Sequence, residues 1–171
     1  RVLDLGCGDG ALLAQLLARK AVVARGVEKD EANVRACVAR GLSVRHGDIE
    51  EGLADFADGA WDYAILSQTL GCLQRPLPVL SEMLRVARFG IVSFQNAGYW
   101  CHRRRALAGG GAGPTLVSGR PLTRDITLPQ FREALRQRQV AAKAEIYLAG
   151  GRRIRFWPGL RAQAVIAILR R

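Results

Sequence analysis

Arg1-Val2-Leu3-Asp4-Leu5-Gly6-Cys7-Gly8-Asp9-Gly10 runs straight into Ala11-Leu12-Leu13-Ala14-Gln15-Leu16-Leu17. Val2, Leu3 and Leu5 make a short apolar run, the mark of a strand buried on both faces of a parallel sheet. Ala11 to Leu17 is rich in strong helix formers. Between the two, glycines at 6, 8 and 10 let the backbone turn tightly and come close to a ligand. Strand, glycine turn and helix together aim N–H groups and the positive end of a helix dipole at whatever sits on the turn.

Two ligand classes suit such a turn. Gly6, Gly8 and Ala11 satisfy the dinucleotide pattern Gly-x-Gly-x-x-Gly/Ala. The same stretch also reads as Gly-x-Gly-x-Gly, with a carboxylate at Asp4 two residues before the first glycine. A pyrophosphate is repelled by that carboxylate, whereas the sulfonium and ammonium groups of S-adenosylmethionine (SAM) are attracted to it. A ligand-free structural turn is the third reading.

Working outward, Ala21 to Val27 reads as a second strand ending at Glu28. Asp30 is a good N-cap for a helix from about Glu31 to Arg40, which Gly41 ends. Leu42 to His46 is a third short strand, followed by Gly47-Asp48-Ile49. Helices between strands this short imply βαβ units and right-handed crossovers. Glu28 lies 18 residues beyond Gly10, near the offset of an acid that grips ribose hydroxyls. Asp48 follows the third strand at the same sheet edge, where it can accept from the exocyclic amine of adenine.

Asp58-Gly59 is a turn signal. Trp61 to Leu66 is a fourth strand leading into Ser67-Gln68-Thr69-Leu70, a loop on the same edge as Gly8. Pro76 and Pro78 open a helix whose Val79, Leu80, Met83, Leu84 and Val86 form an apolar stripe. Phe89 to Phe94 is a fifth strand. Ala108 to Pro114 is a glycine-rich loop. Thr127-Leu128-Pro129 starts a helix of about ten residues with Phe131 and Leu135 inward. Ala144 to Leu148 and Gln163 to Leu169 form a closing antiparallel pair. The expected fold is α/β: a doubly wound, mostly parallel seven-stranded sheet, helices on both faces and a C-terminal antiparallel strand, in one domain over residues 1–171.

At 171 residues with 49 % hydrophobic content the chain is expected to be globular. No apolar run reaches the ~18 residues of a membrane span. The start at Arg1, directly before the first strand, leads us to expect native residues upstream. Cysteines at 7, 37, 72 and 101 are widely spaced and only two histidines occur, His46 and His102. That pattern argues against a zinc site and points to a reducing, cytoplasmic setting. Charge is lopsided: residues 1–95 carry 11 basic and 12 acidic residues, residues 96–171 carry 15 and 3. An acidic protein partner, nucleic acid, an anionic substrate and a plainly solvated basic face all fit that split. Arg152, Arg153 and Arg155 stand beside Phe156 and Trp157, a pairing that suits an exposed basic hairpin tip, a protein contact or base stacking.

The glycine stretch, Glu28, Gly47-Asp48 and Trp61-Asp62-Tyr63 resemble the class I SAM-dependent methyltransferases. More narrowly, Cys37-Val38-Ala39-Arg40-Gly41, Gly52-Leu53-Ala54-Asp55-Phe56, Leu66-Ser67-Gln68-Thr69-Leu70, Glu82-Met83-Leu84-Arg85, Ile91-Val92-Ser93-Phe94-Gln95-Asn96 and Asn96-Ala97-Gly98-Tyr99-Trp100 resemble the methionine-biosynthesis protein MetW family. The resemblance covers about residues 1–114. After Pro114, residues 115–126 depart from the family's Trp-Tyr-Asp-Thr-Pro-Asn-Ile-His-like segment. The resemblance implies SAM as cofactor, Asp4, Gly6, Cys7, Gly8, Glu28, Asp48, Ile49 and Ser67 as its binding residues, and association with homoserine O-acyltransferase. Two alternatives are an active methyltransferase on a small anionic acceptor and an RNA-associated module. Ser67, Gln68, Tyr99 and His102 are candidates for the acceptor side, and His46 is read as structural. The fourth strand lacks an Asn/Asp-Pro-Pro-Tyr/Phe segment and the chain lacks a Pro-Cys pair, which counts against methylation of nucleic-acid bases.

Overall fold

The computed structural model describes residues 1–101, 104 and 125–170. Eight strands form one sheet in the order β3-β2-β1-β4-β5-β8-β6-β7. The parallel half comprises β1 (Val2–Leu5), β2 (Ala24–Glu28), β3 (Val44–His46), β4 (Trp61–Ser67) and β5 (Ala87–Gln95). The closing part comprises β6 (Ala141–Ala149), β7 (Arg152–Arg153) and β8 (Ala164–Arg170). Strand β8 runs antiparallel to both β5 and β6. The seven expected strands are present, and the eighth is the two-residue β7, which pairs with Leu148 and Ala149 at the sheet edge. The second strand is shorter than the sequence suggests: Ala24 is the first residue in register with β1, and Val23 is 67 % exposed.

Helices α1 (Ala11–Arg19), α2 (Glu31–Ala39), α3 (Pro76–Val86) and α4 (Leu128–Gln137) cover the two faces, and a short α5 (Pro158–Arg161) precedes β8. Side chains alternate across a strand, so β1 feeds two cores at once. Leu3 and Leu5 face a core with Val27, Leu66, Met83, Val86, Phe131 and Leu169, under α3 and α4. Val2 faces a second core with Leu13, Ala24, Cys37 and Ile65, under α1 and α2.

Local signals explain the helix starts. The Asp30 side chain accepts from the Asn33 N–H at 2.9 Å, and Thr127 forms a capping box with Gln130. Glu82 and Arg85, on α3, hold the loop before β4. Arg85 Nη2 donates to Glu82 (2.8 Å) and to the Leu53 carbonyl (3.0 Å), and Nη1 to the Phe56 carbonyl (3.0 Å) and Asp58 (2.5 Å).

Strand order reverses between β1 and β4: β2 and β3 lie on one side, β5 on the other. A doubly wound sheet opens a crevice at the carboxyl ends of its strands at that point. The Gly6–Gly10 turn, Glu28, Gly47-Asp48 and Ser67 to Thr69 all follow carboxyl ends there. The glycine-rich stretch from Ala108 to Pro114, residues 115–124 and His102 lie outside the described residues.

Candidate functional site

A hollow of about 330 Å³ opens at the crevice. Gly6, Glu28, Asp48, Ile49 and Ser67 line it, together with Val27, Lys29, Gly47, Gln68, Thr69, Cys72 and Leu73. Of the eight expected binding residues, Asp4, Cys7 and Gly8 are not among the lining: Cys7 and Gly8 belong to the turn itself, and Asp4 is buried in β1 before it. Cys72 and Leu73 escaped sequence reasoning because a 3-10 turn at Leu70–Cys72 swings them back over the site, and no motif marks that turn.

Two glycines owe their identity to this place. Gly6 has φ 72, and a Cβ there would meet Thr69 Cγ2 at 2.6 Å. Thr69 Oγ1 donates to the Gly6 carbonyl at 3.4 Å and the Ser67 carbonyl at 3.2 Å, so the β4 loop rests on the turn. Gly8 has φ 56 and open space where its side chain would be. A ligand can therefore reach its backbone directly.

Donors on the turn are largely spent. Gly6 and Cys7 N–H donate to the Val27 carbonyl (2.8 and 3.2 Å), Gly10 N–H to the Cys7 carbonyl (3.1 Å). Gly8 N–H donates to Glu28 Oε2 at 2.8 Å and Ala11 N–H to Asp9 Oδ1 at 3.2 Å. Five of the six N–H groups from Gly6 to Ala11 are thus used inside the chain. A bound pyrophosphate requires such donors free. Here they are not, and carboxylates stand beside them.

Glu28 is buried, at 8 % exposure. Its Oε1 accepts from Lys29 N–H (3.1 Å) and Asp30 N–H (2.9 Å), and Oε2 from Gly8 N–H. A carboxylate has about four acceptor positions, so three are taken and one, on Oε2, is left for a ligand. The same carboxylate fixes the Gly8 turn. Asp48 Oδ1 accepts from Glu50 N–H at 2.9 Å, and Oδ2 lies 3.7 Å from Lys29 Nζ. Asp48 both caps its own turn and faces the hollow.

Asp4 is the least satisfied of the acids. It is 1 % exposed, and its Oδ1 has no hydrogen-bond partner. Burial first, and the Glu28 charge second, push its carboxyl up from 3.8 to about 7. Cys7 and Cys37 sit with their sulfurs 4.0 Å apart, and Cys37 Sγ lies 3.2 Å from the Gly8 carbonyl. Burial pushes both thiols up, so they act as small apolar packing under the turn.

Gln68 holds φ 59, unusual for a residue with a side chain. Its N–H donates to the Ser93 carbonyl (3.0 Å), and its Oε1 accepts from Gln95 Nε2 at 3.3 Å. His46 Nε2 bonds to the Lys29 carbonyl at 3.0 Å, a structural tie. Tyr99 lies outside the described lining of the hollow, edge-on to Trp100. Among the described residues, no cluster of His, Cys, Asp and Glu could hold a metal ion, and no helix is long and apolar enough to cross a membrane.

The family model described as methionine biosynthesis protein MetW matches residues 1–167. The chain belongs to the MetW family. The match runs well past Pro114, so membership of the MetW family extends over the basic C-terminal half as well. A bifunctional methionine biosynthesis protein MetXA/MetW from Rhodopirellula baltica is 41 % identical over 106 residues, 57 % of this chain. The chain spans only 17 % of that relative's length. Among solved structures, a SAM-dependent methyltransferase from Thermotoga maritima, described as a possible histamine N-methyltransferase, aligns with a TM-score of 0.74 at 17 % identity, over 99 % of this chain and 81 % of that one. A SAM-dependent methyltransferase from Archaeoglobus fulgidus aligns at 0.73 and 15 % identity, over 100 % and 86 %. This MetW-family chain therefore has the class I methyltransferase fold.

Proposed function

We propose that this MetW-family chain binds SAM in the hollow at the carboxyl edge of its sheet and acts in methionine biosynthesis beside homoserine O-acyltransferase. One observation carries the cofactor reading: a buried carboxyl, Asp4, with an unpartnered oxygen beneath a turn whose own N–H groups are already used. A buried acid without a partner is costly, and a cationic ligand offsets that cost where a pyrophosphate adds to it. Glu28 and Asp48 supply further acceptors, Ile49, Cys72 and Leu73 apolar walls, and Gly8 an open approach. Bound there, the cofactor supplies a methyl group on a positively charged sulfur.

The residues of this chain bind and orient. Among the described residues the lining of the hollow includes no histidine or tyrosine, and both lining carboxylates accept from backbone N–H groups. That favours positioning over proton transfer. The relative in which MetXA and MetW form one chain supports the acyltransferase as partner, because fusion keeps two cooperating units at high local concentration. Calorimetric titration with SAM and co-purification with the acyltransferase test the two halves separately. Saturable SAM binding and a stable complex are expected. Absence of either removes that half of the proposal.

A further inference from the structure

The turn between β7 and β8 carries the most exposed aromatic surface among the described residues. Phe156 is 75 % and Trp157 76 % exposed, and Leu160 beside them is 38 % exposed. Arg152, Arg153, Arg155 and Arg161 flank them, with no acid between positions 152 and 161. Among the described residues none of these four arginines pairs with a carboxylate. Apolar area in water and four like charges in one turn both cost free energy.

The turn is nonetheless built firmly. Trp157 has φ 51, in the left-handed region that a bulky residue rarely adopts. Its carbonyl accepts from Leu160 and Arg161 N–H at 3.0 and 2.9 Å. Asn96, fully buried at the end of β5, ties the turn to the interior. Its Nδ2 donates to the Gly159 and Ala162 carbonyls (3.1 and 2.9 Å), and its Oδ1 accepts from Gly98 and Leu128 N–H (3.1 and 3.2 Å). The aromatic pair is thus held outward by a strained turn anchored from within. Backbone strain of this kind persists where surrounding structure over-determines it, most often at functional sites.

We infer that the segment from Arg152 to Arg161 is a protein-docking surface, with Phe156 and Trp157 as its centre and the arginines as its rim, fitted to an acidic face with an apolar middle. Aromatic residues and arginine dominate the energetics of protein interfaces. Resting on the proposed function, the occupant is homoserine O-acyltransferase. Strand β6 runs parallel to β5, since both are antiparallel to β8. The turn after β6 therefore lies on the sheet edge that holds the hollow, and the partner sits on that edge.

Binding of the purified acyltransferase to the full chain, measured by calorimetry at low and high salt, tests this. Three variants are compared: Trp157→Gly, Phe156→Ala/Trp157→Ala, and Arg152→Glu/Arg153→Glu/Arg155→Glu. Each is expected to weaken binding at least about thirtyfold, the scale of a hot-spot truncation, and wild-type affinity should fall as salt rises. SAM affinity should be unchanged in all three. Trp157→Gly relieves the left-handed strain, so its melting temperature should hold or rise while affinity drops, which a merely structural tryptophan would not show. Variants that bind within about twofold of wild type overturn the surface and leave the partner standing. A wild type that does not bind the acyltransferase overturns both, as does turn-dependent binding of an RNA oligonucleotide in its place.

Discussion

Replacing Asp4 with asparagine removes a charge from the interior while keeping the shape of the neutral acid. The carboxyl titrates near 7 in the folded chain against 3.8 when solvated. Below 3.8 both states hold the proton. Between 3.8 and 7 the unfolded chain releases it and the folded chain keeps it, so stability falls as pH rises. Above 7 both are ionised and the loss is complete. A gap of about three pKa units corresponds to about 4 kcal/mol, more than half of it between pH 5 and pH 8. Urea unfolding of both proteins across that range is the assay. Wild type should lose stability with rising pH more steeply than Asp4→Asn, and the variant should be the more stable at pH 8. If the proposed cation binds over the turn, the same variant should bind SAM less tightly, because it removes the buried negative charge beneath that turn. Identical pH slopes for the two proteins would refute the reasoning.

Three further outcomes follow from the geometry. SAM binding near pH 6 should release part of a proton, because a cation beside Asp4 favours its ionised form; calorimetry in buffers of different ionisation enthalpy reads this, and no buffer dependence would count against it. Glu28→Ala removes the acceptor of three N–H groups, so SAM affinity should drop by about 1.5–3 kcal/mol, the scale of a hydrogen bond to a charged group, and unchanged affinity would take Glu28 out of the site. Gly6→Ala should destabilise the fold by at least about 1 kcal/mol through its positive φ and its clash with Thr69; Gly6→Ala/Thr69→Ser should recover part of that loss in denaturant unfolding, and no recovery would show that the Thr69 contact is immaterial.

The strand, turn and helix from Val2 to Arg19 were legible because apolar run, glycine spacing and helix propensity agree over one short stretch. Strand ends were less so. Ala21 to Val23 are as apolar as a strand, but only tertiary register decides that pairing begins at Ala24. Glu28 was placed by its offset from the glycines, yet its use as the acceptor of the Gly8 N–H depends on how β2 ends beside the turn, which no spacing records. Asn96 stood within a family-like phrase without an evident role. Its part as a buried hub joining β5, α4 and the Trp157 turn is a long-range property, linking residues up to 66 positions apart. The eighth strand, Arg152–Arg153, is too short to carry a pattern at all.

The central claim is that the glycine turn serves a cationic adenosyl ligand and not a pyrophosphate. Parallel calorimetric titrations of the full chain with SAM and with NAD at pH 7.5 test it most directly. Saturable binding of SAM with no heat from NAD is the predicted result. Comparable or tighter binding of NAD would contradict it.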